Sequence, residues 1–472
     1  VIRKLRGFFR ELLLYKSALA GIIIIASLVV LSLYAVITIP YEEAVKKWNS
    51  IEYWEDLPRN AMPSWVNFFT RNKLPETIIL DTRGQGENIN NINKTIVPLS
   101  GGKYIQRILL TFNYVYDDFP SEIILRIYSN STKQFTSQIT WVKPGGIEYI
   151  LSRKLLRGYE AYYVSKDEDF LKRFNANLIS KLGSKPSYDL DVVIALFAEE
   201  ESSILSKDTV KVSKGEYKVI VDVLIGEEDV NKVQIDAKLT VYGKVYGIAG
   251  TDHRRRDLVL ALLWGAPIAL AFGLTASITI AFTQMLIASI SAWYGKGMDF
   301  SIQRITEIFM VLPFLPMVLM ISYFYKITIW RLLLVVILLS ILGSGVKSYR
   351  AMFLQIKELP YIEAATAYGA SSFRIVLRYM IPKILPTMIP SIVLSVPDFV
   401  FLEAALALLG VGDPQAVTWG RVLEDAAREA ALYKGYYYWI LEPSAFLLIT
   451  ALGFAMLGLA LDKIFNPRLR EM

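Results

Sequence analysis

Six stretches of this chain are apolar over the length of a membrane crossing: residues 17–39, 268–293, 305–325, 329–346, 384–409 and 440–462. A helix of about 20 apolar residues spans the hydrocarbon core of a bilayer, so each stretch is expected to cross with some tilt. The fourth is short and is expected to run on into the aqueous phase. Between the first two, residues 41–250 follow another pattern. Val233, Ile235, Ala237, Leu239 and Val241 alternate with Lys232, Gln234, Asp236, Lys238 and Thr240. That period of two predicts a half-buried strand. Tyr217, Val219, Val221, Val223 and Ile225 repeat it, and residues 122–128 and 189–197 read as strands too. One helix is expected there, with Ser165 as its cap, Phe170, Phe174, Leu178 and Leu182 on one face, and Gly183 at its end. The fold class this implies is an α-helical polytopic membrane protein of six transmembrane helices, with a β-rich domain inserted between helices 1 and 2. The divisions are 1–40 (tail and first helix), 41–250 (insert) and 251–472 (helices 2–6).

Composition sharpens this outline. Hydrophobic residues make up 54% of the 472 and charged residues only 20%. Mean hydropathy is +0.38. The first apolar stretch exceeds the roughly 7–15 residues of a signal-peptide core and no small-residue cleavage site follows, so it is expected to stay as an anchor. The chain has no cysteine and a single histidine, His253, which removes disulfides, thiolate metal sites and most histidine chemistry.

The net charge of +7 matters by location. Arg3, Lys4, Arg6, Arg10 and Lys16 precede the first span, and Lys463, Arg468 and Arg470 follow the last. Lys296, Arg304, Lys347, Arg350, Lys357, Arg374, Arg378 and Lys383 occupy the loops on the same side. Positive residues favour the cytosol. Both termini are therefore expected inside a plasma membrane and residues 41–256 outside. Arg254, Arg255 and Arg256 break the pattern, offset in part by Asp252 and Asp257. Asn93 and Asn130 begin N-glycosylation acceptor triplets on the outer segment.

Residues 355–382 form one of the inner loops. Pro360 suits the first turn of a helix, where its missing N–H is no loss. Glu363 then meets the positive end of the helix dipole. Ala364, Ala365 and Ala367 would let another surface approach the backbone, and Gly369 supplies positive φ for a break. Ser371 or Ser372 can cap a second helix through Phe373, Ile375, Val376 and Leu377, which Pro382 is expected to end. From physics alone, the result is either an amphipathic connector at the membrane surface or a docking knob for a cytosolic partner.

The spelling Glu363-Ala364-Ala365, three residues, Gly369, nine residues, then Tyr379-Met380-Ile381-Pro382 resembles the E-A-A-x3-G-x9-I-x-L-P loop of permease subunits in ABC importers. Further markers occur in order. Gly250-Thr251-Asp252 with Arg256-Asp257 is similar to the G-T-D-x-x-G-R-D stretch of dipeptide, oligopeptide and nickel permeases, with Arg255 where that family has glycine. Leu406-Ala407-Leu408-Leu409-Gly410-Val411-Gly412, then Thr418-Trp419-Gly420, matches L-S-F-L-G-L-G…S-W-G, and Asn466-Pro467-Arg468-Leu469-Arg470 is similar to D-P-R-L-R. The resemblance covers residues 250–472 and the first span, and it is to the second, C-type permease of the pair. It implies a type I importer fold and coupling to an ATPase through Glu363, Ala364, Ala365, Gly369, Arg374 and Pro382. It also implies a heterodimer with a second permease, two ATP-binding subunits holding ATP and Mg, and an extracellular solute-binding protein that docks near Trp419, Gly420 and Arg421. Short peptides are the implied cargo, with oligosaccharides and nickel as alternatives. No G-x-x-x-x-G-K-[S/T] phosphate loop occurs in the sequence, so the chain is expected to be a transport subunit without its own cofactor or ATPase site.

Acidic residues inside spans are costly and default to functional candidates. Glu307, Asp398 and Glu403 are therefore candidates to line the pathway, or else to pair between helices, Glu307 with Arg304. Pro313 and Pro316, and Pro386, Pro390 and Pro397, are placed to kink their spans. Residues 419–431 read as an outer amphipathic helix with Val422, Ala426 and Glu429 at helical spacing. Tyr436, Tyr437, Tyr438 and Trp439 after it suit an interfacial belt. Two rival readings are a secondary transporter, which would show internal repeats, and a membrane-anchored receptor, which would need only one or two spans.

Overall fold

A computed structural model of the chain describes residues 12, 14–84, 91–230, 232–325 and 327–465. The tail Asn466–Arg470 and the N-terminal Arg3, Lys4, Arg6 and Arg10 lie outside them. In chain order, helices α1 (Lys16–Thr38) and α2 (Tyr41–Asn49) come first. Strands β1 (Ile78–Asp81), β2 (Ile92–Leu99), β3 (Lys103–Tyr114), β4 (Glu122–Ser129), β5 (Phe135–Val142), β6 (Glu148–Leu156) and β7 (Tyr159–Tyr163) follow. Helices α3 (Glu168–Leu182) and α4 (Val192–Phe197) precede β8 (Gly215–Gly226) and β9 (Ile235–Tyr242). The rest is helical: α5 (Leu258–Tyr294), α6 (Lys296–Val311), α7 (Phe314–Phe324), α8 (Ile329–Ser340), α9 (Ser344–Lys357) and α10 (Pro360–Ala367). Last come α11 (Ser372–Leu408), α12 (Trp419–Arg428) and α13 (Tyr438–Phe465). The chain divides into two compact units, residues 51–257 and the remainder.

Among the described residues of the helical unit, four helices (α1, α5, α11 and α13) are each long and apolar enough to cross a membrane. Counting the bent pairs α6/α7 and α8/α9 as one span each raises the number to six. The third apolar stretch is thus not one straight helix but two, meeting at 76°. Pro313 causes the break: it cannot donate a helical hydrogen bond, and it drives Leu312 to extended geometry (φ −63°, ψ 130°). The fourth stretch breaks by 49° after Ser340. There Gln284 of α5 inserts its side chain, and its Nε2 donates to the freed Ser340 carbonyl at 2.8 Å. Gly345 makes room for it, since a Cβ at Gly345 would sit 1.9 Å from Gln284 Oε1. Helix α5 packs against α1, α9, α11 and α12. Helices α1 and α13 approach through small residues: a Cβ on Gly21 would lie 2.7 Å from the Gly453 carbonyl oxygen. Such close backbone contact supplies the dispersion that lipid cannot.

Pro382 does not end a helix. It sits in the first turn of the segment Ile381–Leu408, after a π-helical turn over Val376–Met380 in which the Ile381 N–H reaches back to the Val376 carbonyl. The wider turn absorbs the missing proline donor, and the helix continues. Pro386, Pro390 and Pro397 likewise lie inside it without dividing it.

The second unit holds two antiparallel sheets, ordered β1-β9-β4-β7 and β2-β3-β8-β5-β6. They share one hydrophobic core, where Phe112, Trp141, Phe197 and Tyr217 pack ring against ring. Strand β8 buries Tyr217, Val219, Val221, Val223 and Ile225 as its alternation predicts. Three expectations are corrected. Strand β9 is not half-buried: Lys238 and Thr240 are buried too, because Glu55 and Asp56 cover that face, Lys238 Nζ meeting Asp56 Oδ2 at 2.5 Å. Helix α3 is capped by Asp167, whose Oδ1 accepts the Phe170 N–H at 2.9 Å, while Ser165 bonds to Ile123; Gly183 ends the helix in the left-handed region (φ 72°). Residues 192–197 are helix rather than strand, since Asp191 caps Val193 and a six-residue apolar run carries no period of its own.

Candidate functional site

The 360–380 segment is built as two helical pieces hinged at a glycine. Helix α10 starts on Pro360 and ends in three turn bonds: Tyr368 N–H to the Ala364 carbonyl, Gly369 N–H to Thr366 and Ala370 N–H to Ala365, at 3.0, 3.0 and 3.1 Å. The longest of these is the glycine-capped helix end, which requires the left-handed Gly369 (φ 76°). Ser371 stands at the start of α11, although its side chain makes no capping bond. Buried Ile362, Ile375 and Met380 fasten the segment to α5, α9 and the start of α11. Most of the side chains between them face outward. Glu363, Ala364, Ala367 and Arg374 are exposed, Tyr368 is 92% exposed and Phe373 74%. Ala365 is half-buried.

Behind the segment lies a charged clamp. Arg350 of α9 pairs with Asp299 of α6, its Nε donating to Oδ1 at 2.6 Å. Ser291 of α5 donates to the same carboxylate, and Lys357 donates to the carbonyls of Ala292 and Trp293 at 3.0 and 2.9 Å, closing the end of α5. Sequence reading missed Asp299, whose neighbours in space come from distant helices. Glu307 joins this group: Arg304 pairs with it at 2.9 Å as expected, and Lys347 adds a bond at 3.2 Å.

Glu403 is buried. It lies against Gly420 and is bonded by Thr418: a Cβ on Gly420 would come 3.2 Å from Glu403 Oε2. Glu403 and Glu307 thus each have a partner within the chain, while Asp398 is exposed on α11. The three residues expected to receive a solute-binding protein are buried. Trp419 donates from Nε1 to the Leu262 carbonyl at 3.0 Å and stacks on Phe446. Gly420 packs on Ala404 and Ala407, and Arg421 pairs with Glu424 and Asp425. These side chains fix α12 to the bundle and present no surface. Trp439 and Tyr438 are buried as well, whereas Tyr437 and Tyr433 are exposed.

In the sheet unit, the stretch similar to G-T-D-x-x-G-R-D is a structural knot. Asp252 is fully buried against Arg256 at 2.5 Å and accepts the backbone N–H groups of Arg254 and Arg256. Arg255 stands where the family has glycine and keeps the glycine-like backbone (φ 68°). Its side chain is held by Glu122, by the Leu57 carbonyl at 2.6 Å and by the Tyr242 ring. Of the glycosylation candidates, Asn93 is exposed on edge strand β2. Asn130 instead uses its amide to join strands, donating to Lys232 and accepting from Gln234. Among the described residues, no three His, Asp or Glu side chains gather as a metal site.

Comparison with known proteins places this geometry. Residues 284–471 match the family described as binding-protein-dependent transport system inner membrane component. The chain is 28% identical over 226 residues to the oligopeptide transport system permease protein OppC of Bacillus subtilis, covering 47% of this chain and 72% of that one. It is 26% identical over 223 residues to the dipeptide transport system permease protein DppC of the same organism, covering 47% and 69%. OppC of Escherichia coli is 28% identical over 220 residues, covering 46% and 72%. The sheet unit lies outside the family match. The resemblance read from the 363–382 motif is thereby borne out: residues 284–471 match the membrane component of binding-protein-dependent transport systems, and the relatives this chain is similar to are permeases of peptide transport systems.

Proposed function

We propose that this chain forms half of the translocation pathway of an ATP-driven importer for short peptides delivered by an extracellular solute-binding protein. Six spans cross the plasma membrane: α1, α5, the bent pairs α6/α7 and α8/α9, α11 and α13. Both termini and residues 355–382 face the cytosol, and residues 41–256 face outside. The carrying observation is the exposed knob around Gly369, whose apolar surface (Tyr368, Phe373) has no intramolecular cover. Contiguous exposed apolar residues mark a contact surface, and a glycine-hinged pair of short helices anchored by Ile362, Ile375 and Met380 would pass a push to α5, α9 and α11. ATP and Mg would sit on two partner ATPase chains, and a second permease would complete the pore.

The anomalous outer arginines fit this topology. Arg255 is paired with the partly buried Glu122 and Arg256 with the buried Asp252, so neither acts as a free charge beside the span. A cleft of about 730 Å³ between the end of α7 and the loop after α11, lined by Ser322, Tyr323, Thr328, Gly412, Asp413 and Gln415, would serve as the outer mouth. With Trp419, Gly420 and Arg421 buried, docking of the binding protein would fall to the exposed Leu432 and Tyr433 that follow α12. Purification from its native membrane tests the reading. The chain should emerge with two ATPase polypeptides and a second permease, and the assembly should take up short peptides only with ATP and its binding protein. Isolation as a lone polypeptide active without nucleotide would overturn it.

A further inference from the structure

The sheet unit carries an apolar surface that the importer reading does not use. The turn Ser64–Phe68 and the residue after it expose Trp65, Phe68 (88%) and Phe69 (83%), and Ile248 (77%) joins them from the other end of the unit. The Trp65 ring and the backbone that carries it are fixed rather than loose. Trp65 Nε1 donates to the Ile248 carbonyl at 2.9 Å, Ser64 N–H to the Gly247 carbonyl at 2.8 Å, and Met62 bridges Val245. Trp65 and Phe69 meet edge to face with centroids 6.2 Å apart. Residues 61–75 contain no acidic residue, and exposed Arg71 and Lys73 follow the aromatics directly.

We propose that this aromatic cluster is a membrane anchor, seated in the headgroup and upper acyl layer of the outer leaflet, that holds the sheet unit down on the bilayer. The occupant is lipid because of where the cluster stands on the chain. Gly247 lies beside Asp257, a Cβ on it falling 3.9 Å from Asp257 Oδ2, and the next residue, Leu258, begins the membrane helix α5. The cluster is therefore joined to a membrane helix by the short stretch of residues 249–257. Along α5, the buried ring of Trp264 meets Tyr41 just beyond α1, so this turn of α5 lies level with the outer end of the first span. Leu258 is only six residues, about 9 Å, further out. Trp and Phe followed along the chain by Arg and Lys is the chemistry of an interfacial anchor.

Because the sequence contains no cysteine, Phe68→Cys and Phe69→Cys each give a single spin-label site in the full chain. Ile96→Cys, on the exposed edge strand β2, is the aqueous control. In vesicles of mixed neutral and anionic lipid, collision with oxygen should exceed collision with a water-soluble nickel chelate at both phenylalanine positions, and the reverse should hold at position 96. Preference for the chelate at 68 and 69 would overturn the anchor. So would weak collision with both quenchers, which would show a covering protein. The readout does not depend on transport, so it can fail while the importer reading stands, and the reverse.

Discussion

Replacing Gly369 separates backbone shape from side-chain bulk in the coupling segment. A Cβ at this position meets nothing within 4 Å, so space is not the constraint. The constraint is φ of 76°, which puts a Cβ too near the following carbonyl. An alanine there costs roughly 1–2 kcal/mol, enough to lower the population of the hinged form about 5–30-fold. A β-branched residue costs more, while asparagine tolerates the left-handed region. The strain should unwind the turn bonds from Tyr368, Gly369 and Ala370 locally, since Ile362 and Ile375 stay fastened on either side. Uptake of labelled peptide into proteoliposomes containing the whole assembly, with ATP hydrolysis measured alongside, is the assay. Activity per hydrolysed ATP should rank Gly, then Asn, then Ala, with Gly369→Val nearly inactive and all four inserted in the membrane at equal levels. Equal uptake by Gly369→Val and the native chain would show that transport does not need the left-handed turn. An asparagine variant as poor as the valine would show that φ is not what matters.

Four further outcomes follow from the packing. Gln284→Leu leaves the Ser340 carbonyl unbonded at the break between α8 and α9, so thermal stability of the purified assembly should fall by about 1–3 kcal/mol. Glu403→Gln keeps a polar group beside Thr418 and should preserve both stability and uptake, whereas Glu403→Ala should destabilise; normal stability with abolished uptake in the glutamine variant would restore a pathway role. Arg255→Gly relieves the left-handed backbone but strands nearly buried Glu122, so denaturant melts of the sheet unit in the full chain should show net loss. Lys143 is buried with the Ala198 carbonyl as acceptor, and burial pushes its pKa down. Its folded state therefore binds fewer protons than the unfolded state between that lowered value and the ordinary 10.5, so native stability rises with pH in this window. Lys143→Met removes the titrating group, so the rise of melting temperature with pH in this window should flatten in the variant.

What the sequence made legible was local. Pro360 at a helix start and Gly369 at a break impose their backbone geometry whatever surrounds them, so the knob could be drawn before its neighbours were known. The alternation in β8 was equally plain, because one side of that strand meets the core and the other is only partly covered. What escaped was set by contacts between distant residues. Strand β9 alternates as cleanly as β8, yet Glu55 and Asp56 cover its polar face, which no local period reports. Pro382 looked like a stop, but a π turn re-registered the helix around it. Trp419, Gly420 and Arg421 were placed on an outer docking surface by the family resemblance alone, which carries no information on burial. Gly265, where a Cβ would fall 2.2 Å from the Trp419 ring, is the mate that buries the tryptophan, and it lies far away in sequence. Asp299 was passed over because Arg350 and Ser291 reach it from other helices.

The account rests on a partner ATPase gripping the 360–380 knob from the cytosol. Ala364→Cys, in a chain with no other cysteine, tests this when a short thiol cross-linker is applied to the native assembly in membranes. The account predicts a product joining this chain to the ATP-binding subunit, changed in yield by ATP and protected from impermeant thiol reagents added outside. Labelling of the same cysteine from the outer face, or its failure to join any other polypeptide, would contradict it.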